Sequence, residues 1–130
     1  MTPARSWLAA ALLLLASQTG AGDLARVAII IDDLGNQLQS GRRAIELHGD
    51  VAFAFLPGTP LAASLARKAY RDGKEVLLHL PLQADAGEPS NDPVGIRLDM
   101  SRVQVGEAFE RALDSVPHVI GINSHRGSLL

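Results

Sequence analysis

The sequence contains no cysteine. No disulfide staples its fold, and any metal site built from its side chains has to use histidine and carboxylate. That lack says nothing decisive about compartment. No Lys/Arg run or basic face stands out among 12 basic and 14 acidic residues, and the formal net charge is -2. This balance argues against nucleic acid as a partner. The apolar stretch Leu8–Ala16 falls short of the ~20 residues that a spanning helix needs. Repeats and low-complexity segments are absent beyond the N-terminus. The chain, 130 residues long, is also too short for a complete (β/α) barrel of ~250 residues. Residues 22–130 suffice for one domain with one core.

What is present starts with a leader. Met1–Arg5 carries one positive charge, Leu8–Ala16 is wholly apolar, and Ser17–Ala21 is small and polar, with Thr19 and Ala21 at plausible -3 and -1 positions for cleavage. This three-part layout predicts a secretory signal peptide over residues 1–21. An uncleaved anchor is the other reading of the same residues. In both cases the remainder is exported, to the periplasm or cell envelope, and after cleavage no membrane span is expected. Loss of Arg5 leaves that remainder mildly acidic.

The stretch that organises the rest is Val27–Gly35, an apolar run of Val, Ala and Ile ending in Asp32, Asp33, Leu34 and Gly35. So short a run predicts a strand over Val27–Asp32, buried on both faces. Adjacent carboxylates repel each other and persist best beside a cation or a shared proton. Leu38–Leu47 predicts a helix closed by His48, Gly49 and Asp50. Val51–Leu56 predicts a second strand, broken at Pro57–Pro60. Thr59 suits an N-cap and Pro60 a first helical position, so an amphipathic helix is expected over Pro60–Arg71. Glu75–Leu80 predicts a third strand stopped by Pro81. Leu82–Leu98 is the one long irregular segment, of a length usual in functional or mobile loops. Ser101 and Gln104 have capping-box spacing and open a helix to about Ser115, with Val105, Phe109, Ala112 and Val116 inward. Val119–Asn123 predicts the fourth strand. The alternation β-α-β-α-β-loop-α-β implies an α/β fold with right-handed crossovers and a parallel sheet. The chain stops a few residues after its fourth strand, as a fragment or truncated reading frame would.

Parallel strands put their C-terminal ends on one face, where α/β folds place their chemistry. Asp32 and Asp33 follow the first strand, His79 ends the third, and His125 follows the fourth. Asp/His/His is a sound ligand set for Zn²⁺ or a similar ion, and an aspartate outside that set can take a proton from water. Each residue alone has a plainer reading. Paired aspartates are often a turn, His79 reads equally as a buried structural histidine, and His125 as a loop residue. His48 reads as a helix-end residue and His118 as a solvated one. The coincidence at one sheet edge lifts the set above those readings.

Four motifs carry a resemblance: Ile29–Gly35; Phe53–Pro57; Gly73–Leu82, with His79; and Gly121–Ser128, with Asn123, His125, Gly127 and Ser128. In this order they resemble the divergent polysaccharide deacetylases, exported bacterial relatives of the metal-dependent polysaccharide deacetylases. The resemblance runs from about Val27 to the end. It implies a distorted (β/α) barrel of parallel strands, of which residues 22–130 are the N-terminal half. It implies Asp32 as general base and Asp33 as metal ligand. Gly73, Lys74, Glu75 and Val76 lead to His79 at the matching offset of the second motif, but Gln83 stands where that motif has its second histidine. His125 is the candidate replacement ligand. The implied activity is carbohydrate metabolism, namely hydrolysis of N-acetyl (or O-acetyl) groups on an envelope polysaccharide or acetylated amino sugar with a divalent metal, zinc by preference. The alternative is a catalytically inactive relative that binds carbohydrate or another envelope component, which Gln83 favours. A receiver-like phospho-acceptor domain also carries paired acids after its first strand, but the export signal and His79 at the end of the third strand count against it.

Overall fold

The computed structural model describes residues 25–85 and 94–130. The expected signal peptide lies outside the described residues, as does the middle of the expected Leu82–Leu98 loop. The element order is β1 Ile29–Leu34, α1 Leu38–Ile45, β2 Val51–Phe55, α2 Ala62–Arg71, β3 Val76–Leu82, α3 Arg102–Ser115 and β4 Val119–Arg126. The strands form one parallel sheet in sequence order, β1-β2-β3-β4. The expected α/β alternation is thus present.

Alternation along the strands divides the sheet into two faces. Phe53 and Phe55 of β2 and Val76, Leu78 and Leu80 of β3 form one face. They pack with Ile45 of α1, Leu65, Ala66 and Ala69 of α2, and Ala112 of α3 into the hydrophobic core. The other face carries Ala52 and Ala54, Leu77, His79 and Pro81, and Gly121, Asn123 and His125, which stand opposite one another in register: Ala54 with Leu77, Leu77 with Gly121, His79 with Asn123, Pro81 with His125.

Several element ends differ from the sequence expectation, for local reasons. β1 runs on through the aspartates and is not buried on both faces: Ile29 and Ile30 are 53% and 41% exposed. It is an edge strand, and the main helix contacts fall on β2 and β3, with Leu34 alone of β1 joining the buried core. α1 ends at Ile45, its one buried large residue, and Leu38 and Leu47 stay exposed. α2 starts at Ala62, not Pro60. Thr59 turns its hydroxyl back to donate to the Leu56 carbonyl at 2.8 Å, and no side chain caps the helix. β3 passes through Pro81. Proline lacks only the N–H, and the Pro81 carbonyl still accepts from Ile96 N at 2.9 Å. α3 opens on the expected capping box: Ser101 N donates to Gln104 Oε1 at 2.8 Å and Gln104 N to Ser101 Oγ at 3.4 Å. β4 continues three residues past Asn123, which puts His125 inside the strand.

Gly35 turns the chain out of β1 at φ +132°, and a Cβ there would lie 2.0 Å from Thr59 Oγ1. Gly49 has φ +97° with nothing within 4 Å. Gly49→Ala therefore adds backbone strain alone, about 1–2 kcal/mol. Gly35→Ala adds strain plus a clash costing about 1–3 kcal/mol more. Urea midpoints of the two variants measure the difference, and equal midpoints would contradict the close approach of Gly35 to Thr59.

Candidate metal centre

Regular strand geometry sends Asp32 and Asp33 to opposite faces. The chain avoids this with a bulge. The β1–β2 register shifts between Ile31 and Leu34, and Asp33 takes a left-handed φ of +61°. Bulges re-aim side chains, and a non-glycine residue at positive φ stores strain of a kind that clusters at functional sites. Both carboxylates consequently address the concave face.

They also reach across it. In a flat sheet β1 and β4 lie about 14 Å apart, three strand spacings. Yet Asn123 Nδ2 of β4 donates to Asp32 Oδ1 of β1 at 2.8 Å. The sheet is therefore strongly curled, as an arc of a barrel is. The residues of β2 on that face, Ala52 and Ala54, are small enough to leave the gap open.

Three ligand atoms from three strands converge in this curl. Asp33 Oδ1 lies 3.2 Å from His79 Nε2 and 3.0 Å from His125 Nδ1, and the two histidine nitrogens are 3.1 Å apart. The rings meet edge to face, at 70°. His79 is 3% exposed, whereas the Asp33 side chain is 66% exposed, so the triangle has a dry floor and an open mouth.

The hydrogen bonds determine which atoms carry protons. A carboxylate only accepts, so Asn123 must turn its NH₂ to Asp32 and its carbonyl oxygen to His79. That oxygen, Asn123 Oδ1, lies 3.0 Å from His79 Nδ1, so Nδ1 bears the hydrogen. In its neutral form the ring then presents a bare lone pair at Nε2, toward the lone pairs of Asp33 Oδ1, 3.2 Å away. Such a contact calls for a cation or an added proton. Ligands about 2.0–2.2 Å from a common ion, at angles between octahedral and tetrahedral, stand about 3.0–3.5 Å apart. The three observed edges match, so the donor set fits a divalent ion with positions left open.

Of the residues expected from the sequence, Asp33, His79 and His125 are brought together, and Asp32 sits beside them through Asn123. His48 and His118 are elsewhere; the His118 ring stacks on Tyr70 at 3.9 Å. Gln83 is not in the cluster. The chain from His79 to Gln83 stays extended through Leu82, which separates the two by about 13 Å. The Gln83 side chain instead accepts from Leu98 N at 3.0 Å and donates to Asp85 O at 3.2 Å, clamping the ends of the long loop. Asn123 was not among the expected site residues. Its spacing of two from His125, which puts both on one face of a strand, was the available signal.

Comparison with known proteins bears on the family and the fold. A family profile described as divergent polysaccharide deacetylase matches residues 29–130. The chain is 36% identical over 119 residues to the uncharacterized protein YibQ of Escherichia coli K12, covering 92% of this chain and 36% of that one. It is 31% identical over 103 residues to an uncharacterized protein of Haemophilus influenzae, covering 79% and 36%. The chain thus spans about a third of the length of these curated relatives. The crystal structure of an uncharacterized Agrobacterium tumefaciens protein superposes with a TM-score of 0.71 at 23% identity, covering 78% of this chain and 42% of that one. At that identity the likeness concerns the fold.

The geometry separates two candidate third ligands. His125→Ala is expected to weaken binding of Zn²⁺ by at least the ~10–100-fold that loss of an outer-shell partner costs, read by competition with a chelator. Gln83→His is expected to leave it unchanged. Tighter binding in Gln83→His with no loss in His125→Ala would overturn the assignment.

Proposed function

The chain belongs to the divergent polysaccharide deacetylase family, and from that premise we propose that its protein is an exported, metal-dependent hydrolase that removes N-acetyl (or O-acetyl) groups from an envelope polysaccharide. The observation that carries this reading is the convergence of Asp33 Oδ1, His79 Nε2 and His125 Nδ1 within 3.0–3.2 Å of one another.

In the proposed mechanism Asp33, His79 and His125 would hold the ion. Two imidazoles and a carboxylate with open positions suit Zn²⁺. A divalent ion bound there would supply a Lewis acid for the acetyl carbonyl and would lower the pKa of water. The chain's own residues do the rest. His79 is held by burial and by Asn123, so one corner of the triangle is fixed before substrate arrives. The open mouth at Asp33 admits a sugar from solvent. Asp32 lies outside the triangle and is exposed. It is the base of this proposal: its carboxylate takes the proton of the attacking water, while the Asn123 amide holds Oδ1 in place. Export to the periplasm or cell envelope, proposed from the leader at residues 1–21, would bring the site to such a substrate.

The test is a deacetylase assay with metal analysis on the full-length protein, using acetylated amino-sugar oligomers. Asp32→Asn is expected to lower kcat by ~10²–10⁴-fold with metal content retained. Asp33→Ala is expected to lose both metal and turnover. Stoichiometric sugar binding without turnover in a metal-loaded preparation would overturn the hydrolase reading in favour of a carbohydrate-binding relative.

A further inference from the structure

Among the described residues, Asn123 is a polar side chain of the concave face that neither lies in the ligand triangle nor faces the proposed substrate. Its amide is engaged at both ends, Nδ2 to Asp32 Oδ1 at 2.8 Å and Oδ1 to His79 Nδ1 at 3.0 Å. We propose that Asn123 is a positioning residue that reads the Asp32 carboxylate and, by the orientation this imposes on its amide, selects the Nδ1–H tautomer of His79.

An isolated amide can present either its oxygen or its nitrogen to an imidazole, and the two choices favour opposite tautomers. Asp32 removes the choice, because a carboxylate accepts only from the NH₂ side. The oxygen is then delivered to Nδ1, which must bear the hydrogen. The consequence lies on the far side of the ring: Nε2 carries its lone pair toward Asp33 and His125, 3.2 and 3.1 Å away. The other tautomer would aim an N–H into that space and close it to a cation. Histidines that bind metal usually have their second nitrogen fixed by an outer partner. Here the partner is an amide held by a second residue, so Asp32 at one edge of the sheet governs the proton position on β3.

This inference rests on the metal reading for its consequence but not for its test. Histidine ¹⁵N shifts, recorded on the full-length protein with zinc and after chelation at pH about 8.5, above the ordinary histidine range, report the tautomer directly. In the unaltered protein His79 is expected as Nδ1–H in both samples. Asn123→Leu, close in shape and without polar atoms, is expected to shift His79 toward a tautomer mixture and to weaken zinc binding by ~10–100-fold. Asp32→Ala, which frees the amide to rotate, is expected to lose the selection with Asn123 intact. If Asn123→Leu unfolds, Asp32→Ala still decides the matter. In the chelated sample, where no ion fixes Nε2, an unchanged His79 tautomer in Asn123→Leu or in Asp32→Ala overturns the proposal. Failure of the unaltered protein to bind zinc, with the tautomer shifts as expected, would instead overturn the metal reading and leave this one standing.

Discussion

The site depends on the curl of a four-stranded sheet. Its acidic residues sit on β1 and two of its partners on β4, at opposite edges of the strand order. A flat sheet keeps those edges too far apart for any side-chain contact, so the 2.8 Å bond from Asn123 to Asp32 exists only because the sheet closes toward a barrel. The curl in turn depends on size. Large side chains face the helices from β2, Phe53 and Phe55, while Ala52 and Ala54 face the hollow. β4 contributes Gly121 to the same face, where a Cβ would stand 3.0 Å from Leu77 Cδ2. Small residues on the concave side and aromatic ones on the convex side make bending toward the hollow the arrangement that packs best.

The second requirement is local. Two adjacent carboxylates on a regular strand would serve two different faces. The bulge at Asp32 and Asp33, with the left-handed backbone at Asp33, turns both to one side. The division of labour between them follows from where each then stands. Asp33 meets both histidine nitrogens, whereas Asp32 meets the Asn123 amide. Like charges that would only repel in a plain turn thus have separate neighbours.

Much of this was legible in the residues and some was not. The alternation of elements and the capping box at Ser101 and Gln104 were local patterns, and local patterns survive folding. Asp32, Asp33, His79 and His125 could be gathered because parallel strands share a C-terminal face. The exposure of β1 was not legible, because an apolar run such as Ile29–Ile31 looks the same on an edge strand as in the middle of a sheet. Nor was the passage of β3 through Pro81, which rests on its carbonyl meeting Ile96 from a distant loop. The role of Ala52 and Ala54 as space, and of Asn123 as a link, depends on what stands opposite them, which no single stretch of sequence records.

Gln83 bears most directly on how the site is assembled. A histidine at that position could join His79 only if the chain turned sharply after His79. Here β3 continues straight to Leu82, in register with β4 as far as Arg126. The same pairing that carries Gln83 away brings His125 opposite Pro81, two residues beyond His79 and on its face. Extension of the strand therefore removes one possible ligand and supplies another in a single step. It also changes what the site spans. A pair on β3 and its loop would leave β4 out of the cluster, whereas Asp33, His79 and His125 tie together β1, β3 and β4. An ion held by these three would bind best at one curvature of the sheet, so the shape of the barrel arc and the affinity of the site become one property.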